Sequence, residues 1–146
     1  MSLADSTVIF RSTSRQISKR DLRAYAEQLA KRLGHGRPFC CLIADDRELR
    51  RLNKQFLGKD YTTDVLSFPS GSPVGSLGDL AISLDRAREQ AREQGHLMAV
   101  EVKVLMLHGV LHLIGLDHER DRGTMKRIET QWRKKLELPA GLIERQ

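Results

Sequence analysis

Between residues 97 and 115 the chain is apolar on nearly every side, and the main interruptions are histidines and glycines, in the run His108-Gly109-Val110-Leu111-His112-Leu113-Ile114-Gly115-Leu116-Asp117-His118. A helix that is hydrophobic all round has to be buried. This one is therefore expected at the centre of whatever the remaining segments build, and it carries imidazoles in with it. An α-helix turns about 100° per residue, so His108 and His112 stand roughly 40° apart, one turn above the other, and can reach a common point. Six residues beyond His112, His118 would lie on the far side of a continuous helix. The helix must stop first, and Gly115, able to take the left-handed conformation that ends many helices, supplies the reversal.

Three neutral imidazoles converging in this way leave a fourth tetrahedral position for water, the arrangement of a catalytic zinc rather than a structural one. A single histidine on an apolar face is more simply a hydrogen-bonded core residue. Three at this spacing, with the glycine between the second and third, point to a metal site whose ligands are His108, His112 and His118. His35 sits between two glycines and His96 follows Gly95. Both read as loop residues.

The remaining segments supply a sheet and surface helices. Residues 7–12 and 38–44 read as strands, and between them Ser18 and Asp21 resemble a capping box leading a helix with Leu22, Tyr25, Ala26, Leu29, Ala30 and Leu33 on one face. A short helix over 46–56 ends near Gly58, a strand over 64–68 stops at Pro69, and a Gly, Ser and Pro cluster over 69–76 is a loop. A fourth strand over 77–83 precedes helices at about 84–94, 97–115 and 121–137. The last of these aligns Met125, Ile128, Trp132 and Leu136 as a core stripe. The order predicts a small single-domain α+β layer fold: a four-stranded mixed sheet packed against about five to six helices, with a central metal-binding helix.

At 146 residues one domain over 1–146 is expected, large enough to form a core without disulfides. Cys40 and Cys41 are adjacent on a strand, pointing to opposite faces as small hydrophobes. A reduced, cytoplasmic setting follows as the expectation. No charged-then-apolar leader opens the sequence and the apolar stretch is too short for a membrane span, so no membrane partner is expected. The net charge of +6 favours an anionic partner. Its clearest concentrations are Arg11, Arg15, Lys19, Arg20 and Arg23 near the start and Lys126, Arg127, Arg133, Lys134 and Lys135 near the end. With aromatics at 5% of residues, a base-stacking platform is poorly supported.

The chain resembles the YbeY family of bacterial ribosomal-RNA maturation endoribonucleases. The histidine run matches that family's zinc motif, and Thr63-Asp64-Val65-Leu66-Ser67-Phe68-Pro69 with Gly78-Asp79-Leu80-Ala81-Ile82-Ser83 is similar to its two central strands. Leu52-Asn53 and Glu101 extend the likeness over most of the chain. The resemblance implies a zinc-dependent, single-strand-specific endoribonuclease acting in late maturation of the 3′ end of 16S rRNA and in ribosome quality control. Its implied partners are ribosomal RNA and the small ribosomal subunit, with one zinc per chain on His108, His112 and His118, and a monomer is favoured. The family usually carries an arginine, thought to face the cleft and handle phosphate, where this chain has Leu57. Lys59 is the substitute cation for substrate binding, but it offers a point charge in place of a planar fork.

A metal here can polarise a phosphoryl oxygen and lower the pKa of bound water toward about 7. Asp117, beside a ligand, is the candidate catalytic carboxylate, or it orients an imidazole from outside the coordination sphere. Asp64 and Asp79 are either chemical groups or plain strand-end residues, and Glu119 is expected on the solvent side. The ligand spacing is also that of metzincin peptidases, whose general-base glutamate follows the first histidine. Gly109 occupies that position and cannot accept a proton. The remaining rival is a ribosome-associated binding factor with a structural zinc and lost nuclease activity, which Leu57 would permit.

Overall fold

The computed structural model describes residues 6–116 and 123–138. Its elements run β1 (Thr7–Phe10), α1 (Lys19–Arg32), β2 (Cys40–Ala44), α2 (Asp46–Leu57), β3 (Val65–Pro69), β4 (Gly78–Ser83), α3 (Leu84–Gln94), α4 (Met98–Leu113) and α5 (Thr124–Lys135). The strands form one sheet in the order β1-β2-β4-β3. β1, β2 and β4 are parallel, and β3 runs antiparallel beside β4. This is the mixed α+β sheet that the alternation of strand and helix patterns predicts.

Strand alternation divides the core between the two faces. Val8, Cys41, Ile43, Leu80 and Ile82 point to one side, where they join Leu22 and Leu29 of α1, Ala87 of α3, Leu105 and Leu111 of α4 and Met125 of α5 in a single cluster. Ala44, Leu66 and Ala81 point to the other and meet Leu49 of α2, with Leu42, Leu52 and Phe68 half-buried around them. Cys40 and Cys41 obey the same alternation, one half-buried and one buried. Each fully buried leucine in these clusters contributes roughly 1.5–3 kcal/mol relative to exposure.

Twelve of the sixteen residues of α4 are buried, which makes it the central helix that its all-round apolarity requires. It sits so close to the sheet that a Cβ added at Gly109 would lie 2.7 Å from a Leu80 methyl and 3.3 Å from Val65. The hydroxyl of Ser67 donates to the Gly109 carbonyl at 3.2 Å, tying α4 to β3 across this contact. α1 begins as expected, with the Ser18 side chain accepting from the Asp21 amide at 3.1 Å. The Asp21 carboxylate pairs with Lys103 of α4 at 2.9 Å.

The observed boundaries differ modestly from those the sequence predicts. β1 stops at Phe10 because the amides of Arg11 and Ser12 both turn to the Ile43 carbonyl, at 2.9 and 3.1 Å, ending the regular ladder. α4 covers 98–113 rather than 97–115. α5 covers 124–135, and residues 121 and 122, the expected start of its segment, lie outside the described residues.

Candidate metal centre

The end of α4 is built as the sequence requires. The Gly115 amide donates to the His112 carbonyl at 3.0 Å and the Leu116 amide to the Leu111 carbonyl at 3.1 Å. Gly115 itself has φ 102, in the left-handed region. Those paired bonds are the Schellman arrangement, and Leu116 packs back on the core as the motif demands. The chain thus leaves the helix immediately after presenting both histidines.

His108 is buried and His112 half-buried, with ring centroids 4.8 Å apart and planes at 74°. Their Nε2 atoms face each other at 3.2 Å. Two nitrogens bound tetrahedrally to one zinc, each at about 2.0–2.1 Å, would be about 3.3 Å apart, so the pair fits as two ligands of a common ion. Among the described residues no group of three or more His, Cys, Asp or Glu side chains is placed to hold a metal. His118, the third ligand expected from sequence, lies outside the described residues, as do Asp117 and Glu119.

On its other side, His108 Nδ1 stands 3.2 Å from Oε1 of Glu129, a residue of α5 that is 1% exposed. Sequence reading missed this carboxylate. Its signal was the position itself: Glu129 follows Met125 by four residues and precedes Trp132 by three, on the buried stripe of α5, where a charged side chain needs a partner. Arg32 and Lys135 lie over the Trp132 ring at 5.1 and 4.6 Å from its centroid. Together with buried Met125 they hold α5 in place.

The structure does not bring the α2 residues to this pair. α2 packs on the opposite face of the sheet from α4, and Leu57, its last residue, is 47% exposed. A core role for Leu57 is therefore ruled out. Lys59 is exposed in the following loop, whose path is fixed by the buried Asn53 amide donating to the Tyr61 carbonyl at 2.9 Å and by Thr62 Oγ1 donating to the Asp46 carbonyl at 3.0 Å. Nearby cations are engaged. Arg50 pairs with Asp60 at 2.8 Å and holds that carboxyl below its usual range, and Arg51 does the same for Glu48.

Asp64 accepts from Gln90 Nε2 at 3.0 Å, and its carbonyl receives the Ser83 amide at 2.9 Å. These bonds fix the entry to β3. Asp79 is exposed on the face of β4 opposite Leu80 and Ile82. Gly109 lies against Leu80 and Val65, so a glutamate at the metzincin base position would be driven into the sheet.

These features define an α+β domain whose central helix ends in a paired-histidine site. The family described as "Endoribonuclease YbeY" matches residues 7–137. "Endoribonuclease YbeY" of Solibacter usitatus is 57% identical over 140 residues, covering 96% of this chain and 94% of the relative. That of Koribacter versatilis is 44% identical over 138 residues, covering 94% and 90%. The solution structure of TM1509 from Thermotoga maritima superposes with a TM-score of 0.61 at 25% identity, covering 86% of this chain and 85% of that one. The chain belongs to the YbeY endoribonuclease family.

Proposed function

We propose that the chain is a zinc-dependent endoribonuclease that cleaves single-stranded segments of precursor ribosomal RNA, acting at the 3′ end of 16S rRNA and in ribosome quality control. The observation that carries this reading is the facing Nε2 pair of His108 and His112 at 3.2 Å, at a helix end that turns back on itself. His118 completes the ligand set by sequence. The ion, when bound, supplies Lewis-acid polarisation of the scissile phosphate and activation of water. The protein's own contribution is rigidity, because the imidazoles are held by a buried helix and require little reorganisation to act together. Asp117, adjoining His118, is the candidate for holding or moving a proton, and Lys59 for contact with substrate phosphate. The net charge of +6 favours approach of a polyanion. Membership in a family whose relatives are named endoribonucleases supports the same conclusion.

Leu57 favours a second reading, a ribosome-associated binding factor, since an exposed apolar side chain stands where the family's arginine is expected. One experiment separates the two. Zinc content and cleavage of end-labelled single-stranded and duplex RNA are measured in parallel for the wild type and His112→Ala. Loss of both metal and single-strand cleavage in the variant supports the enzyme. Cleavage undiminished by His112→Ala overturns it, and a wild type that holds zinc, binds RNA and leaves it intact is the binding factor.

A further inference from the structure

We propose that Glu129 is a positioning residue of the metal centre: its buried carboxylate fixes the Nδ1–H form and ring orientation of His108 and so aims the Nε2 lone pair at the ion shared with His112. This rests on the reading of the histidine pair as metal ligands.

Glu129 is 1% and His108 5% exposed, and the two come from different helices. A buried carboxylate is tolerated only where it is paired and hydrogen-bonded. Here its Oε1 lies 3.2 Å from Nδ1 of His108. A carboxylate oxygen set against an imidazole nitrogen at this distance accepts from it, so the geometry places the N–H on Nδ1. In a neutral imidazole the other nitrogen is then bare. That nitrogen is the one facing His112 Nε2 at 3.2 Å.

Two bare lone pairs at that distance repel. An ion placed between them would bind both and relieve that repulsion. Glu129 thus decides which of the two His108 nitrogens is the ligand. A carboxylate behind a metal-bound imidazole also raises its basicity, and losing such a partner typically weakens metal binding by about 10–100-fold. Met125, buried on the same face of α5, and Trp132, packed against the core, hold the helix that carries the carboxylate.

The test uses Glu129→Gln, which keeps the side chain's size and an acceptor oxygen but removes the charge. Zinc affinity is measured by competition with a chelating indicator for wild type, Glu129→Gln and His112→Ala, alongside circular dichroism and melting of each metal-free protein. The expected result is zinc binding weakened about 10–100-fold in Glu129→Gln, with a metal-free fold like the wild type's. In wild-type protein, long-range proton–nitrogen NMR correlations should show His108 protonated at Nδ1 both without and with zinc. Unchanged zinc affinity in Glu129→Gln, with His112→Ala weakened, overturns the role of Glu129 alone. A wild type that binds no zinc, or an His112→Ala protein that binds it equally well, overturns the metal-centre reading and this inference with it. Should Glu129→Gln fail to fold, the wild-type NMR decides, and a His108 proton on Nε2 in the zinc-loaded protein refutes the proposal.

Discussion

Nε2 of His108 lies 3.2 Å from Nε2 of His112, one helical turn away on α4. Little movement is needed for the pair to accept one ion, so binding energy should appear largely as added stability of the folded state. At a free zinc concentration 100 times Kd the stabilisation is about 2.7 kcal/mol. For a domain near this size that raises the melting temperature by roughly 5–10 °C. Differential scanning fluorimetry with and without zinc should show that rise in the wild type and lose most of it in His112→Ala or His118→Ala. A full rise in His118→Ala would remove that residue from the site.

Leu57→Arg should tighten RNA binding without harming the fold. Leu57 ends α2 and is 47% exposed, so its replacement removes little packing. A cation there also complements the negative end of the helix. Because α2 packs on the face of the sheet opposite the histidine pair, a guanidinium there would meet phosphates away from the scissile one, so RNA affinity should rise while the single-turnover rate at saturating RNA stays level. Zinc content and melting temperature should stay level. A lower melting temperature with no gain in affinity would show that the position does not serve RNA binding.

The central helix, the reversal at Gly115 and the opposite faces of Cys40 and Cys41 are all legible in the sequence, because each depends on local periodicity or on one residue with unusual backbone freedom. Glu129 is not, since its meaning lies in a contact with a residue 21 positions away on another helix. Within α5 alone it reads as one more charge among Lys126, Arg127 and Arg133. Leu57 could be recognised as a departure from its family but not located, because solvent exposure at a helix end depends on how α2 lies on the sheet. Gly109 is the converse case. Sequence gave it meaning only as a missing base, whereas the structure shows the physical demand that a glycine satisfies, close approach of α4 to β4.

Gly109→Glu should consequently destabilise the protein rather than create a peptidase. Even a methyl at this position would press on Leu80 at 2.7 Å, and a carboxylate would be forced into an apolar interface with no cation on that face of β3 or β4. Burying such a group costs several kcal/mol or displaces the helix. Thermal melting should drop by about 10 °C or more. Cleavage of a peptide substrate by a folded Gly109→Glu protein would contradict this account.

The two cysteines should differ sharply toward alkylation. Cys41 is fully buried and burial pushes its thiol well above the ordinary range, while Cys40 is half-buried and raised by desolvation and by the nearby Asp79 carboxylate. The thiolate is the reactive form. At neutral pH iodoacetamide should therefore modify Cys40 slowly and Cys41 only on unfolding, as peptide mass analysis would show. Equal modification of both in the native protein would mean that the β2 faces are assigned wrongly.

RNA affinity should be electrostatic and weakly selective for sequence, because the chain carries a charge of +6 and few aromatics. Each phosphate neutralised on a single strand releases condensed counterions, so log affinity falls against log salt with a slope of about 0.7 per contact. Lys59 enters no ion pair among the described residues, whereas Arg50 and Lys54 beside it share Asp60. Exposed and unpaired, it is the cation of this loop most able to meet a phosphate. Lys59→Ala should then weaken binding by a similar factor for unrelated single-stranded sequences and reduce the salt slope by about 0.7. Filter binding over a range of salt concentrations measures both quantities. A slope unchanged by Lys59→Ala would take that side chain out of the RNA contact, and a flat dependence in the wild type would refute electrostatic binding altogether.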